Sequence, residues 1–509
     1  MATTLVGRRS DDCEALFEHY QGAGDDENAS IQAGLAAAKA STALAFDRAV
    51  FFYRHALALT PTSSAAHAWR EGVANALANA GRPAEAGEAF LRAVAGAGHP
   101  QRVELQRRGA EQFLIGGHID SGLDLIRTML ADMGVAVPRS PRAALLSLLW
   151  GRARLRWRGL HFVSRAADEI DADPLLRIDT CWSATTGLAL VDMISACDFS
   201  ARHLLMALDA GEPSRIARAM AIESMARGAY PTGRRLSEKL VQQSKALAQR
   251  VGHPQAIALS ILADGMMAIQ AGEWKKALTF SEQALAILRD QCVGFTWELN
   301  IAQNLVIWAL MYQGELGELS RQIPPLLANA RSRGNLYIAT ELCTRSNFVW
   351  LAADDPDGGE REAVESIEQW SQKGFHRQHY SARLARVQTA LYRGNAEAAW
   401  RLHAEQEAML RRSLLTRVQV IRIEALYLQA RVALAMAASH RGSPRFLSIA
   451  SAAARRIARE RMSWSDPIAL LLQGGIAHRE GSSPLALRYL HDAASRFDRA
   501  DMKLYAAVA

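Results

Sequence analysis

Four arginines alternate along the chain, and a tryptophan lies between the last two. Planar guanidinium groups beside an aromatic ring are suited to binding a nucleotide phosphate, RNA or an acidic protein surface. A spacing of two residues, however, spreads side chains around a helix and does not place them on one side. We take Arg152, Arg154, Arg156 and Arg158 as the candidate partner surface. The alternative is a solvated helix end whose arginines extend along apolar neighbours.

Two further groups have side chains of the types that bind metal ions. Asp354, Asp355 and Asp357 could bind calcium, but they lack the alternating ligands and the distant glutamate of an EF-hand loop. His376 and His379 are spaced to share a helix face, yet no third ligand accompanies them. We predict a solvated turn for the aspartates and polar packing or surface positions for the histidines. No metal or other cofactor is expected.

Signatures of the common enzyme classes are missing from the sequence. There is no P-loop GxxxxGK(S/T), no dinucleotide-binding GxGxxG, no kinase HRD and DFG pair, and no HExxH, CxxC or GxSxG. An enzyme would have to use a constellation that these motifs do not describe. We therefore predict a protein without catalytic residues and keep an unrecognised enzyme as an alternative.

Composition indicates close-packed helices. The chain has 509 residues, of which 50% are hydrophobic and only 7% aromatic. A single core stops growing at about 250–300 residues, so several domains or an extended repeat array are expected. Few runs alternate Val, Ile, Thr and aromatic residues between turn signals, which argues against strands. Alanine is frequent throughout, and alanine favours helices that pack closely.

The charge balance and the cysteines indicate a compartment. A formal charge of +7 is mild for this length, so nucleic acid is not an expected partner. Five scattered cysteines without a CxxC pair are typical of a reduced cytoplasmic protein. MATTLVGRRSDD lacks the apolar segment of a signal peptide, and no later apolar stretch reaches the roughly 20 residues of a membrane span. We predict a cytoplasmic protein.

A repeated pattern begins in AFDRAVFFYRHALALTP, which starts at Ala45. A small residue, an aromatic residue and a second small residue recur with offsets 86−49, 90−53 and 93−56, each equal to 37. A third set follows at an offset of 36 and keeps the spacing, with other residue types at its second and third positions. Small residues let two helices cross closely, and the large residue fills the groove toward the next unit. Tetratricopeptide repeats, with about 34 residues, have this layout. The positions are Ala49, Tyr53 and Ala56, then Ala86, Phe90 and Ala93, then Gly122, Ile126 and Met129.

The repeats predict an all-α fold, an α-α superhelix of helix-turn-helix units similar to tetratricopeptide proteins. Asn28 or Ser30 is expected to cap the first repeat helix, and residues 142–157 are expected to form one long helix that ends near Gly159. The polar segment ADDPDGGE is predicted to be a loop and an internal boundary. The predicted parts are an N-terminal helical remnant (1–27), tetratricopeptide-like repeats (28–136), an irregular helical insert or diverged repeats (137–200), helical repeats (201–353) and C-terminal helical repeats (354–509).

Several segments resemble the C-terminal helical region of large bacterial regulators, in which a serine/threonine protein kinase and an AAA-type or STAND-type ATPase precede a long repeat tail. These are helix-packing and loop segments spread over nearly the whole chain, and they include the arginine-rich stretch. The resemblance implies that kinase and ATPase residues would lie before Met1, so none maps to a position here. It also implies a tail that senses a partner or ligand and releases the kinase or ATPase from autoinhibition. The segments are LFEHYQGAGD from Leu16, ALAFDRAVFFYRHALAL from Ala43, GRARLRWRGLHF from Gly151, RIDTCWSATTGLALVD from Arg177, DFSARHLLMALDAGEP from Asp198 and WLAADDPDG from Trp350.

Taken together, these patterns favour a non-catalytic interaction or sensor scaffold in bacterial signalling. Its expected partners are proteins, among them a kinase or ATPase module. The alternatives are a nucleic-acid-binding regulator that acts through the arginine-rich segment and an unrecognised enzyme.

Overall fold

The structure, a computed structural model, describes residues 12–138, 140–189, 191–230, 233–440 and 444–509. Within these ranges all regular elements are helices, and no strand occurs. The chain divides into two compact units. Unit 1 contains residues 1–137 and 330–337, and unit 2 contains residues 138–329 and 338–509. The predicted all-α repeat fold is confirmed, whereas the five predicted parts of the chain stay a prediction.

Unit 1 is a stack of helical hairpins. Each of its helices packs on the next, and α2 also contacts α4, as expected when one hairpin lies against another. Segment 330–337 reaches the turn after α6, where the backbone N–H of Tyr337 donates to the carbonyl of Gly116 at 3.2 Å. The helices are α1 (Cys13–Gly22), α2 (Asp26–Thr42), α3 (Phe46–Leu59), α4 (Ala66–Asn79), α5 (Pro83–Ala93), α6 (His99–Ile115) and α7 (Ile119–Asp132).

Unit 2 begins with a long helix, as the sequence predicts for residues 142–157. Its first eight helices are α8 (Pro141–Arg158), α9 (Ala172–Leu188), α10 (Met193–Ala210), α11 (Pro213–Gly228), α12 (Arg234–Val251), α13 (Pro254–Ala271), α14 (Trp274–Gln291) and α15 (Thr296–Gln313). The next two helices are α16 (Leu316–Ser332) and α17 (Leu336–Arg345). The last residues of α16 and the first residues of α17 belong to segment 330–337, which is part of unit 1.

The remainder of unit 2 continues the helical array. Its helices are α18 (Phe348–Ala352), α19 (Pro356–Glu368), α20 (Arg377–Tyr392), α21 (Ala396–Glu405), α22 (Glu407–Ser413), α23 (Gln419–Ser439), α24 (Pro444–Ala458), α25 (Asp466–Arg479), α26 (Ser483–Arg499) and α27 (Lys503–Val508). Most neighbours in sequence pack together, and α13 also contacts both α11 and α15. The last helix, α27, contacts α15. No helix in the described ranges is long and apolar enough to cross a membrane.

Burial confirms the repeat positions that the sequence indicates. The small residues Ala49, Ala56, Ala86 and Ala93 are all fully buried, and so is Phe90 between two of them. Alanine at these points lets the helix backbones approach, and the aromatic ring fills the space toward the next hairpin. The offset of 37 residues therefore reports a repeated packing contact.

Glycines end the first helices of several hairpins. Six of them have a backbone angle φ between +70° and +86°, a conformation that favours glycine: Gly81, Gly117, Gly272, Gly314, Gly394 and Gly481. At Gly272 the space is closed as well, because a Cβ atom would lie 2.2 Å from Cδ1 of Trp464. This turn needs glycine for two independent reasons.

The predicted cap of the first repeat helix is wrong. Asp25, and not Asn28 or Ser30, precedes α2, and its carboxylate accepts the backbone N–H of Asn28 at 3.1 Å. The Ser30 hydroxyl instead donates to the carbonyl of Glu27 inside the helix. Acidic side chains are favourable in a first helical turn, so α2 begins before its first apolar residue.

The loop predicted for ADDPDGGE is also wrong for most of its length. Asp355 caps α19 by accepting the backbone N–H of Gly358 at 2.8 Å, and Pro356 occupies the first helical turn. Proline is tolerated there because its missing N–H would have no helical partner. Gly359 lies inside the helix, where a Cβ atom would be 3.0 Å from Cβ of Trp350. The glycine thus permits close packing and does not break the helix.

Candidate ligand cavity and the arginine-rich helix

The four candidate arginines lie on α8, and the structure does not place them on one face. Arg152 and Arg158 point toward neighbouring helices: Nε of Arg152 is 3.3 Å from Oε1 of Glu223, and Nε of Arg158 donates to Oδ1 of Asp209 at 2.7 Å. Arg154 and Arg156 are exposed. The predicted spread of charge around the helix is confirmed, and only two of the four guanidinium groups face outward.

Glu223 explains why Arg152 turns inward. This carboxylate is fully buried, accepts the hydroxyl of Ser200 at 2.7 Å, and lies 2.7 Å from Nε of Arg227. A buried carboxylate requires compensating donors and positive charge. Burial also raises the pKa of the neighbouring Cys197 thiol to about 12, so this thiol stays protonated. Arg152 therefore belongs to the core of unit 2.

The histidine pair makes local polar contacts. His376 precedes α20, its backbone N–H donates to Nδ1 of His379 at 3.0 Å, and its own Nδ1 accepts the indole N–H of Trp370 at 3.0 Å. Burial, and then the neighbouring His376, lowers the pKa of His379 to about 4. Of the aspartates, Asp355 is the helix cap described above, and Asp357 pairs with Arg393. In the ranges that the structure describes, no group of three or more His, Cys, Asp or Glu residues could hold a metal ion.

Unit 2 contains a cavity of about 490 Å³. It lies among α15, α17, α20, α23, α25 and α27, and the segment 348–352 completes its wall. Volumes of about 300–1,000 Å³ are usual for ligand sites. The lining is mostly apolar and aromatic with a few polar groups. It includes Tyr312, Arg345, Ala352, Gln388, Tyr392, Glu424, Tyr427, Arg431, Trp464, Leu504, Tyr505 and Val508.

An arginine and a glutamate form the polar floor of this cavity. The two Nη atoms of Arg345 donate to the two carboxylate oxygens of Glu424 at 2.9 and 2.5 Å, and the Tyr312 hydroxyl donates to the same carboxylate at 2.5 Å. The side chains of Arg345 and Glu424 are 4% and 12% exposed. Burial by itself would lower the pKa of Arg345, but the charge and hydrogen bonds of Glu424 outweigh it and raise that pKa. Arg345 thus stays protonated, and its two hydrogen bonds to Glu424 fix both side chains in position.

Aromatic rings hold this floor in place. The rings of Trp274 and Tyr312 are stacked with centroids 4.1 Å apart and an interplanar angle of 7°, and the ring of Trp464 meets both edge-on. The guanidinium of Arg345 lies 4.6 Å from the centroid of the Trp308 ring. Stacked rings and cation–π contacts leave these side chains little freedom. The cavity therefore has a preformed shape.

The C-terminal helix α27 closes one side of the cavity. Leu504, Tyr505 and Val508 line it, and at the start of α27 Nζ of Lys503 lies 3.4 Å from Oε1 of Glu315. Gly314 makes the approach possible, because a Cβ atom there would lie 2.4 Å from Cβ of Leu504. Residues of α27 thus form part of the cavity wall.

Two tyrosine hydroxyls that line the cavity have raised pKa values. Burial, followed by the negative charge of Glu424, raises the pKa of Tyr312 well above its usual value of 10. Burial likewise raises the pKa of Tyr505. Both hydroxyls stay protonated at neutral pH, and the Tyr312 hydroxyl donates its hydrogen bond to Glu424. The carboxylate of Glu424 is already occupied by its arginine and tyrosine partners.

The chain matches no protein-family model and no curated protein. Among solved structures, it is similar to a chain of the APC/C hetero-tetramer Cut9–Hcn1, with 14% identity, a TM-score of 0.44, and coverage of 98% of this chain and 92% of that chain. It is also similar to yeast Tom70, with 11% identity, a TM-score of 0.34, and coverage of 94% of this chain and 94% of that chain. A third similar structure is the human IFIT1 dimer with m7Gppp-AAAA, with 11% identity, a TM-score of 0.30, and coverage of 91% of this chain and 89% of that chain. At these identities and scores no ligand or partner is carried over to this chain.

Sequence reasoning missed the cavity. Its polar floor joins residues from different hairpins: Arg345 and Glu424 are 79 positions apart, and Tyr312 and Glu424 are 112 apart. One signal was present in QVIRIEALYLQARVALAMAAS, where Glu424 is the only acidic residue of a long apolar helix. A charged residue at a buried helical position requires a partner, although the sequence does not say which.

Proposed function

We propose that this chain is a non-catalytic helical-repeat scaffold that binds a partner protein, and that the cavity of unit 2 receives a short apolar segment of that partner. The observation that carries the proposal is the preformed cavity, with aromatic walls around an arginine–glutamate pair that is already neutralised. Such a site gains affinity mostly from apolar burial, because its floor does not need a charge from the ligand.

The rim suggests which partner segment would fit. The guanidinium of Arg431 lies 5.4 Å from the centroid of the Tyr427 ring and lines the cavity, as does the amide of Gln388. Tyr392 is 49% exposed, so its ring is open to a ligand. An aromatic or large aliphatic side chain would enter, and a carboxylate next to it would approach Arg431. We therefore propose a segment that combines both features.

Selection from a library of random displayed peptides tests this proposal. We expect the selected peptides to carry an aromatic or large aliphatic residue beside an acidic one. Ala352 lines the cavity and Ala353 does not, although both are exposed. Ala352→Trp should weaken peptide binding at least about tenfold, while Ala353→Trp should leave it within about twofold. Equal binding by both variants would place the peptide elsewhere, and the proposed site would then be abandoned.

A narrower proposal concerns the biological setting. We infer that the scaffold acts in the cytoplasm of a bacterium, as the repeat module of a serine/threonine kinase–ATPase regulator. The segments quoted above support this, as do five free cysteines, of which three are buried. The test is to add the purified chain to the kinase–ATPase module of such a regulator expressed without its own repeat tail. We expect altered ATP hydrolysis or autophosphorylation, and unchanged rates together with no complex on gel filtration would contradict this setting.

A further inference from the structure

Helix α8 carries an apolar stripe on its outer face. Leu146, Leu149, Trp150 and Trp157 are 69%, 56%, 68% and 92% exposed. Together with the exposed Ala153, they recur at the spacing of three, four and seven residues that aligns side chains along one side of a helix. Exposed apolar residues that occur singly need no explanation, but a continuous stripe with two tryptophans does.

The stripe is not needed for folding, because the opposite face of α8 already makes the core contact. Ala144, Leu148 and Leu155 are buried on that side, where α8 packs on α10. The helix is also capped at both ends. The Ser140 hydroxyl accepts the backbone N–H of Ala143 at 3.2 Å, and Gly159 ends the helix with φ at +74°. The outer face is therefore presented on a rigid element.

Arginines border the stripe on both sides. At about 100° per residue, Arg154 and Arg156 lie roughly 80° to either side of a line through Leu146 and Trp157. Arg142 is exposed near the first turn. The whole helix, PRAALLSLLWGRARLRWR, contains five arginines and no acidic residue. The outer face thus combines large apolar side chains with positive charge alone.

We propose that the outer face of α8 binds the surface of a membrane that contains anionic lipids. Tryptophan and leucine would enter the boundary between headgroups and acyl chains, and the two flanking arginines would reach the lipid phosphates on either side. Tryptophan is favoured at this depth because its ring is apolar and its N–H can still find a polar partner. An anionic surface complements the helix along its whole length, whereas an acidic partner protein would need a matching apolar groove.

Sedimentation of the full-length protein with vesicles tests this inference. Phosphatidylcholine vesicles with phosphatidylglycerol should bind the protein, and vesicles of phosphatidylcholine alone should bind it much more weakly. Binding should also weaken as salt is added. Arg154→Gln with Arg156→Gln is expected to reduce binding to the anionic vesicles about 25-fold, at roughly fivefold for each lost cation. Trp150→Ser with Trp157→Ser should reduce it at least about tenfold at any salt concentration.

A matched control comes from α26, where Leu487 is 68% exposed and Arg488 is exposed beside it. Leu487→Ser with Arg488→Gln removes similar side chains and should leave vesicle binding within about twofold. All substituted positions are on the surface, so circular dichroism should report an intact fold for each variant. A wild-type protein that ignores anionic vesicles would overturn the proposal and point to a protein partner for this face. Equal losses in the α8 and α26 variants would overturn it as well.

Discussion

His203 should make the stability of unit 2 depend on pH. It lies on α10 with 0% of its side chain exposed, and neither ring nitrogen has a hydrogen-bond partner among the described residues. Burial, and next the positive charge of Arg218, lowers its pKa from 6.5 to about 3, with Asp179 opposing the change and Arg215 adding to it. The native state therefore holds a neutral imidazole at pH values where the unfolded chain would hold a proton.

The direction and the size of the change in stability follow from the difference between the native and the unfolded pKa of His203. Because the native pKa is depressed, the full stability is present above pH 6.5 and is lost as the pH falls toward 3. At pH 5 the unfolded state gains about 2 kcal/mol from protonation of this one side chain, and the loss approaches about 5 kcal/mol below pH 3. His203→Leu removes the titration while keeping an apolar side chain of similar volume. The variant should therefore lose about 2 kcal/mol less than wild type between pH 8 and pH 5.

Urea unfolding followed by circular dichroism measures the effect, with hydrogen exchange of the α10 amides as a local readout. His379 and His403, whose pKa values are lowered to about 4, remain in the variant, so its stability will still fall with acid, but less steeply. His491, which is exposed, supplies the control: His491→Leu should keep the wild-type slope. Parallel pH dependences for wild type and His203→Leu would show that His203 is protonated in the native state, contrary to its burial.

Three further outcomes are expected. Glu424→Leu should destabilise unit 2 by about 3–5 kcal/mol in urea unfolding, because it leaves the Arg345 guanidinium buried without a counter-charge, and adding Arg345→Met should recover much of the loss. Gly272→Ala should cost clearly more than the roughly 1 kcal/mol expected for Gly394→Ala. Both glycines have positive φ, but only the first would place a Cβ against Trp464, so equal costs would contradict the packing. In native protein, iodoacetamide should react first with the partly exposed cysteines, and mass spectrometry should find two buried thiols with pKa raised to about 12 protected: Cys181 and Cys197.

The repeat architecture could be predicted because its determinants are local. Ala86, Phe90 and Ala93 lie within two turns of one helix, and their spacing alone reports which side faces the next hairpin. Turn glycines such as Gly81 and Gly117 are equally local. The error at Asp355 has the same origin: aspartate, proline and glycine occur both in loops and in the first turn of a helix, and composition does not distinguish these positions.

The cavity could not be predicted because its determinants are not local. Tyr312, Arg345 and Glu424 come from three helices whose stacking order and tilt decide whether the side chains meet. Periodicity indicates that a position is buried, but it does not identify the residue on the other side of the core. Glu424 alone indicates that a cation or donor must lie nearby. Its partner could be assigned only after the helices were placed.

Helix α8 shows a third reason why function can escape sequence analysis. Apolar residues occur on both of its sides: Leu148 and Leu155 on one, Leu146 and Trp157 on the other. Because apolar residues lie on both faces, the hydrophobic pattern of the sequence does not single out one side of the helix. The sequence therefore indicates neither an amphipathic helix nor a surface helix. The sequence also suggests that the arginines are spread evenly around the helix, since residues spaced by two point in all directions. Packing on α10 removes this symmetry by covering one face. What remains outward is a narrow apolar stripe between Arg154 and Arg156, and this arrangement is what the vesicle experiment tests.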